Sequence, residues 1–416
     1  MTSTDGGDLP LAPYRVLDLA NETGFLCGRI LGDLGADVIK VEPPGGDPAR
    51  RHGPYYHDDD DPEKSLSWYA YNYNKRSITL DLSQPQGRDL FIRLVQSADF
   101  VVETGPPGHL DALGLGYVAL RAANPRVVMT SITPFGQTGP YRQYKADDIV
   151  AVAMGGLMHL SGDEDREPLR IGVPQAYALA GAQAAAGTMI AHYQRLPTGQ
   201  GAHVDVSMQE AVANALPATQ LMWFAAQQVE HRGERHEYGG RMTRGIFPAK
   251  DGYVASHLFW GVGPGTRMRG LARWIKDTGQ ETSIGDVDFT QVTGFSITQE
   301  QVDVWEEEMS RFFSRFTKAE IYREALKRRA FVFPVSTPAD LAADPQLRSR
   351  GFFKPVEHPE LASEIDYPGP FCGFSETPLS IRRRPPLIGE HNHEVYHEEL
   401  GYSDAALDAL RQAGVV

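Results

Sequence analysis

The feature that most constrains this chain is an alternation of short apolar runs with helix-spaced segments. Residues 14–19 (YRVLDL) read as a strand. Asn21 and Thr23 then precede Leu26, Ile30, Leu31 and Leu34, which fall on one helical face, and Gly35 supplies a stop. Residues 37–42 (DVIKVE) form the next strand. Strand, helix and strand in that order make a βαβ unit, and βαβ units build parallel sheets. The pattern continues through 77–82 (SITLDL), a helix over 85–97, and strands at 99–103 and 127–132. A doubly wound α/β domain follows. Gly28, Gly32 and Gly35 lie within and after the helix, not between strand and helix, so they read as packing glycines and not as a dinucleotide fingerprint.

Later segments extend this domain and then change texture. Residues 148–160 read as an apolar helix, 177–194 as a long Ala-rich helix, and 204–207 as the start of a further element. Near Glu230 the chain becomes charged and Gly-bearing, with a charged helix at 300–310. The expected division is 1–228 for the N-terminal part of a large domain and 229–333 for a smaller α/β domain. Residues 334–416 then form a linker and the return to the large domain. The tail carries a Ser403 N-cap, Leu407 and Leu410 on one face, and Gly414 as a stop.

Composition excludes several classes. Forty Lys and Arg against 54 Asp and Glu give a net charge of −14, against a duplex nucleic-acid binder. Two cysteines exclude a disulfide scaffold and a Cys-based metal site. No apolar run reaches the ~20 residues of a membrane span, and the first ten residues lack a signal-peptide pattern. A soluble cytoplasmic protein with no nucleic-acid or membrane partner is expected. Asp58, Asp59, Asp60 and Asp61 read as a solvated loop, since adjacent carboxylates make a poor cation cage. Residues 393–397 (HEVYH) spell H-E-x-x-H, but in a polar, acidic stretch; a surface segment is expected there, and no metal.

Glycine-rich turns follow several strands: 102–110 (VETGPPGHL), 133–141 (TPFGQTGPY) and 155–165 (GGLMHLSGDED). That edge of an α/β sheet is where ligands bind. Ordered motifs then carry a resemblance: 15–19 (RVLDL), 32–48 (GDLGADVIKVEPPGGDP), 74–82 (NKRSITLDL), 198–207 (TGQGAHVDVS) and 386–392 (PLIGEHN). Together they resemble class III CoA-transferases of the CaiB/BaiF type nearly end to end. The resemblance implies a Rossmann-like large domain built from both termini, an inserted small domain, and an interlocked dimer. It implies an Asp that attacks an acyl-CoA thioester, giving a mixed anhydride and then an aspartyl-CoA thioester. Coenzyme A, as acyl-CoA, is the expected cofactor-like substrate.

Counting back four residues from Gly181 puts Tyr177 at the position of that Asp. No Asp or Glu lies between Glu167 and Asp205, so no catalytic residue is assigned to this chain. A phenol with a pKa of about 10 is mostly neutral at pH 7. The CoA positions that the resemblance carries over are Glu22, Thr23, Leu80, Ser83, Thr104, Gly105, Pro106 and Lys145. Arg50, Arg51 and Lys75 are further phosphate candidates, and a covering glycine loop would fall near Gly239 and Gly240. Residues 67–74 (SWYAYNYN) are similar to succinyl-CoA:benzylsuccinate CoA-transferases, which pair two related chains. The leading expectation is a CoA-transferase subunit whose related partner chain supplies the Asp. Three alternatives are a homodimer using another acid such as Asp165, an acyl-CoA racemase of the same fold, and a CoA-binding protein without activity. For the racemase, the expected His-Asp pair reads Asp147 and Asp148.

Overall fold

The computed structural model describes residues 9–233 and 235–416. The chain begins β1 (Arg15–Asp18), α1 (Phe25–Asp33), β2 (Asp37–Glu42), α2 (Leu66–Asn72), β3 (Lys75–Thr79), α3 (Pro85–Val95) and β4 (Phe100–Glu103). It continues α4 (His109–Ala112), α5 (Tyr117–Ala123), β5 (Val128–Thr133), α6 (Asp148–Met154), α7 (Gln175–Thr198), β6 (His203–Ser207), α8 (Met208–Asn214) and α9 (Pro217–Ala226). The six strands form one parallel sheet in the order β3-β2-β1-β4-β5-β6. The order reverses between β1 and β4, and ligand crevices of open α/β sheets open at such a point.

Both faces of this sheet are covered because its strands are apolar on both sides. Successive side chains of a strand point to opposite faces. Val16, Val38, Phe100 and Val128 pack with Cys27 and Leu31 of α1 and with Ala180 and Ala184 of α7. Their neighbours Leu17, Ile39, Val101 and Met129 pack with Leu90, Phe91 and Leu94 of α3, and with Val395, Tyr396 and Leu407 of the tail. Small residues let α1 and α7 approach: a Cβ on Gly181 would lie 2.9 Å from Leu26 Cβ.

Two helices depart from the sequence expectation. The helix expected over 148–160 ends at Met154, because Gly156 takes φ +92° and turns the chain out; only a short 3₁₀ turn, Met158–Leu160, follows. The Ala-rich helix begins earlier and ends later than expected, at Gln175 and Thr198, and Gly199 closes it in the left-handed region.

The C-terminal segment closes the β3 edge of the sheet without forming a strand. Ser77 N donates to His391 Nδ1 at 3.2 Å, and His391 N returns a bond to Ser77 O at 2.9 Å. Thr79 N donates to Asn392 Oδ1 at 2.8 Å, and Tyr396 OH donates to Thr79 O at 2.8 Å.

The described residues up to Met158, with Arg170–Val229 and Gln346–Val416, make one compact unit. The second unit comprises His159–Leu169 and Glu230–Pro345, and so takes in residues 334–345, where the sequence suggested a linker. It holds a three-stranded antiparallel sheet, Val332–Pro334, Gly252–Ser256 and Ile246–Ala249. Helices Met268–Asp277, Gln299–Phe313 and Lys318–Arg328 pack on it around Phe247, Trp274, Phe312 and Phe313. Among the described residues, no helix is long and apolar enough to cross a membrane.

Candidate active site

A cavity of about 500 Å³ opens at the C-terminal ends of β1 to β4. Four loops build it: Leu19, Asn21 and Glu22 after β1; Pro43 and Asp47 after β2; Leu80, Asp81 and Leu82 after β3; Thr104, Gly105 and Pro106 after β4. The loops after β1 and β4 are joined, since Asn21 N donates to Thr104 Oγ1 at 2.9 Å. Gly24 is required at the crossing: a Cβ there would sit 2.7 Å from Thr104 Cγ2.

Of the expected CoA positions, Glu22, Leu80, Thr104, Gly105 and Pro106 are brought together in this cavity. Thr23 and Ser83 are not among its lining residues. Each closes an Asx turn on its own loop: Thr23 Oγ1 donates to Asn21 Oδ1 at 2.7 Å, and Ser83 Oγ donates to Asp81 Oδ1 at 2.6 Å. Lys145 lies exposed on the loop between β5 and α6, outside the cavity.

Two phosphate candidates are spent inside the fold. Lys75 is buried; its Nζ donates to Asp18 Oδ2 at 2.8 Å and Asn72 Oδ1 at 2.9 Å. Arg50 is buried, holds Glu42 through Nε at 2.7 Å and Glu63 through Nη1 at 2.7 Å, and lies 3.7 Å over the Trp68 ring. A charge so paired cannot turn to a ligand without leaving its carboxylate stranded in the interior. Arg51 remains exposed.

Sequence reasoning missed Glu103 at the end of β4. Its side chain is buried on the cavity floor, and burial pushes its pKa up to about 7. Hydrogen bonds from Ser131 and from Gly105 N (2.6 Å to Oε2) oppose that rise, while Asp111 and Asp205 add to it. Ser131 Oγ also meets His203 Nε2 at 2.9 Å. The only sequence signal was an acid at the end of an otherwise apolar strand.

A second cavity of about 470 Å³ has mainly apolar walls, including Phe25, Leu66, Trp68, Tyr71 and Val173. Glu22 and His52 line both cavities, so the two adjoin. Tyr177, in the first turn of α7, faces this second cavity with Ala178. Its hydroxyl accepts a hydrogen bond from Asp148 N at 3.2 Å. Burial raises its pKa further, with Glu22, Asp147 and Asp148 adding to the rise, so the phenol is neutral at pH 7. Asp148 is itself committed, since Ala176 N donates to its Oδ1 at 2.9 Å at the start of α7. That leaves it poorly placed as a base. Asp165 belongs to the second unit, lines neither cavity, and has a side chain 82% exposed. Gly239 and Gly240 form the tight turn of a hairpin in the second unit, both with positive φ.

A groove at the switch point beside an apolar cavity at a helix start suits an acyl thioester. Residues 11–392 match the family described as CoA-transferase family III. The chain belongs to CoA-transferase family III. It is a CoA-transferase enzyme, and CoA is its acyl carrier. It is 35% identical to the succinyl-CoA:(R)-benzylsuccinate CoA-transferase subunit BbsE of Thauera aromatica, over 97% of each chain. It is 32% identical to the succinyl-CoA–D-citramalate CoA-transferase of Chloroflexus aurantiacus, over 98% of each. The crystal structure of a CaiB/BaiF family protein from Brucella suis superposes with a TM-score of 0.80. That pair is 30% identical, and the match covers 94% of this chain and 99% of that one.

Proposed function

We propose that this chain is one subunit of a CoA-transferase that moves CoA from a succinyl-CoA-like thioester to an aromatic dicarboxylic acid of the benzylsuccinate type. A related partner chain supplies the attacking Asp. The observation that carries the proposal is Tyr177: a neutral, hydrogen-bonded phenol stands at the helix start where a carboxylate nucleophile is needed. The similarity to a protein named as a subunit supports a two-chain enzyme, and that protein's substrate supports the acid class. The aromatic wall of the second cavity suits a phenyl ring, and benzyl-sized groups fit about 470 Å³.

In the partner, the Asp carboxylate attacks the thioester carbonyl and CoA leaves as the thiolate. The thiolate then attacks the carbonyl carbon of the aspartyl group, releasing the first acid and leaving an aspartyl-CoA thioester. The acceptor carboxylate reverses the two steps. A carboxylate suits this role because it is ionised at neutral pH and leaves readily once acylated. In this chain, the groove after β1 to β4 would hold CoA, and the interlocked assembly implied by the family would carry two unequal sites.

The test is reconstitution. The chain alone should transfer CoA at a small fraction of the rate seen with a related Asp-bearing chain. Hydroxylamine trapping after acyl-CoA should mark only the partner's Asp. Ala178→Leu, which fills the apolar cavity, should raise KM for the aromatic acid by roughly tenfold if this chain's cavity binds it. Efficient transfer by the chain alone, abolished by Asp165→Ala, would reject the proposal.

A further inference from the structure

The H-E-x-x-H stretch lies at the surface, as the sequence suggested, and its two histidines meet a carboxylate there. His393 caps the segment Glu394–Glu399, which is wound more widely than an α-helix and carries His397 one turn on, and the two ring centroids are 4.6 Å apart. Asp404, the first residue of the C-terminal helix Asp404–Gln412, brings a carboxylate to them. One ring nitrogen from each His and one Asp404 oxygen lie within 4.8 Å of one another. His393 Nε2 is 3.4 Å from Asp404 Oδ1. In a tetrahedral site with metal–ligand bonds of about 2.0–2.1 Å, ligand atoms sit roughly 3.3 Å apart, so the set closes with shifts of about 1 Å.

One ring nitrogen of each histidine is already engaged by an acceptor; for His397 it is Nδ1, which also lies 3.8 Å from Asp404 Oδ1. His397 Nδ1 lies 2.6 Å from the Tyr402 carbonyl oxygen, which only accepts, so Nδ1 carries the proton and Nε2 keeps its lone pair. His393 Nδ1 faces Glu398 Oε1 at 3.5 Å, which favours the same tautomer. Glu398, beside His393, adds negative charge next to the cluster, whereas Glu390, Glu394 and Glu399 are paired with Arg384, Arg76 and Arg15. The Glu of the motif is unavailable as a hydrolytic base, because Glu394 Oε1 is held by Arg76 Nη1 at 2.8 Å. A metal here would act as a clasp between the His-bearing turn and the last helix, not as a catalyst.

We propose that His393, His397 and Asp404 form a surface site for a borderline-soft divalent ion of the Zn²⁺ type, which pins the C-terminal helix to the turn before it. N and O donors of this kind suit zinc, copper and nickel over magnesium or calcium. The experiment uses the full chain, purified without a histidine tag and stripped with chelator. Zn²⁺ alone is titrated in by calorimetry, with Mg²⁺ as the control. One Zn²⁺ per chain is expected, and hydrogen exchange over 404–412 should slow when it binds. His393→Ala and His397→Ala should each weaken binding at least tenfold, and Asp404→Asn several-fold. These side chains are substantially exposed, so the variants should keep the wild-type circular dichroism and melting temperature without metal. Co²⁺ should give a visible absorption band in the wild type that the His393→Ala/His397→Ala double variant lacks. Absence of Zn²⁺ binding in the wild type, or unchanged affinity in the double variant, would overturn the proposal. Neither result bears on the transferase proposal, which rests on Tyr177.

Discussion

Replacing Glu103 by Gln should change how stability depends on pH, by an amount the structure fixes in sign and scale. Burial moves this carboxyl from the ordinary glutamate value of 4.5 to about 7. In the unfolded chain it ionises near its ordinary value; in the fold it stays protonated until pH approaches about 7. Below the lower value both states are neutral and burial costs little. Between the two values only the unfolded state loses its proton, so stability falls as pH rises. Above the upper value both are ionised, and the full penalty is about 2.5 pK units, or roughly 3.4 kcal/mol at 1.36 kcal/mol per unit. Between pH 5 and pH 8.5 the change is about 2.5 kcal/mol, because the unfolded group is already largely ionised at the lower pH. Gln keeps the shape and cannot ionise. Urea unfolding of both proteins, at one protein concentration and at both pH values, isolates the effect, since every other titrating group is common to the pair. Glu103→Gln should gain about 2.5 kcal/mol relative to wild type between the two pH values. A difference constant to within about 0.5 kcal/mol would mean that Glu103 ionises normally in the fold, and the reasoning from burial would fail.

Affinity for free CoA should fall more steeply as pH rises through about 7 in the wild type than in Glu103→Gln, since the new charge appears on the floor of the groove only in the wild type; calorimetry at constant ionic strength reads the difference. Lys75→Met should cost about 3–5 kcal/mol in urea unfolding, because Asp18 is left as an unpaired buried charge. Of the two cysteines, only the exposed Cys372 should react with a disulfide reagent in the native protein. Cys27 is fully buried and its thiol is pushed up to about 12, first by burial and then by Asp18, so it should react only after unfolding. Equal labelling of both at pH 8 would contradict that placement.

The sheet was legible because strand and helix spacing is local: β1, α1 and β2 stand where alternating apolar residues put them. The aromatic segment at 67–74 also led to the second cavity, through Trp68 and Tyr71. What escaped was set by partners distant in sequence. Nothing local reveals that Lys75 meets Asp18, 57 residues away, or that Arg50 stacks on Trp68 between two glutamates. Thr23 and Ser83 each close a short-range Asx turn that engages the hydroxyl on its own loop. Glu103 looked like an ordinary strand-end acid, and only the packing around it makes it a proton store near neutral pH.

The C-terminal segment that closes the β3 edge also sets the order in which the molecule can be completed. β3 is finished at Thr79, yet its outer backbone groups wait for His391, Asn392 and Tyr396. During synthesis the second unit must emerge in full before those partners appear. For more than three hundred residues of translation the first sheet therefore carries an open strand edge, the kind of surface that pairs with other chains. A nascent chain stopped anywhere before residue 391 would keep that edge exposed. Premature termination should therefore yield a sticky product and not merely a shortened one. Residues 391–396 act as the lock on a sheet begun at Arg15.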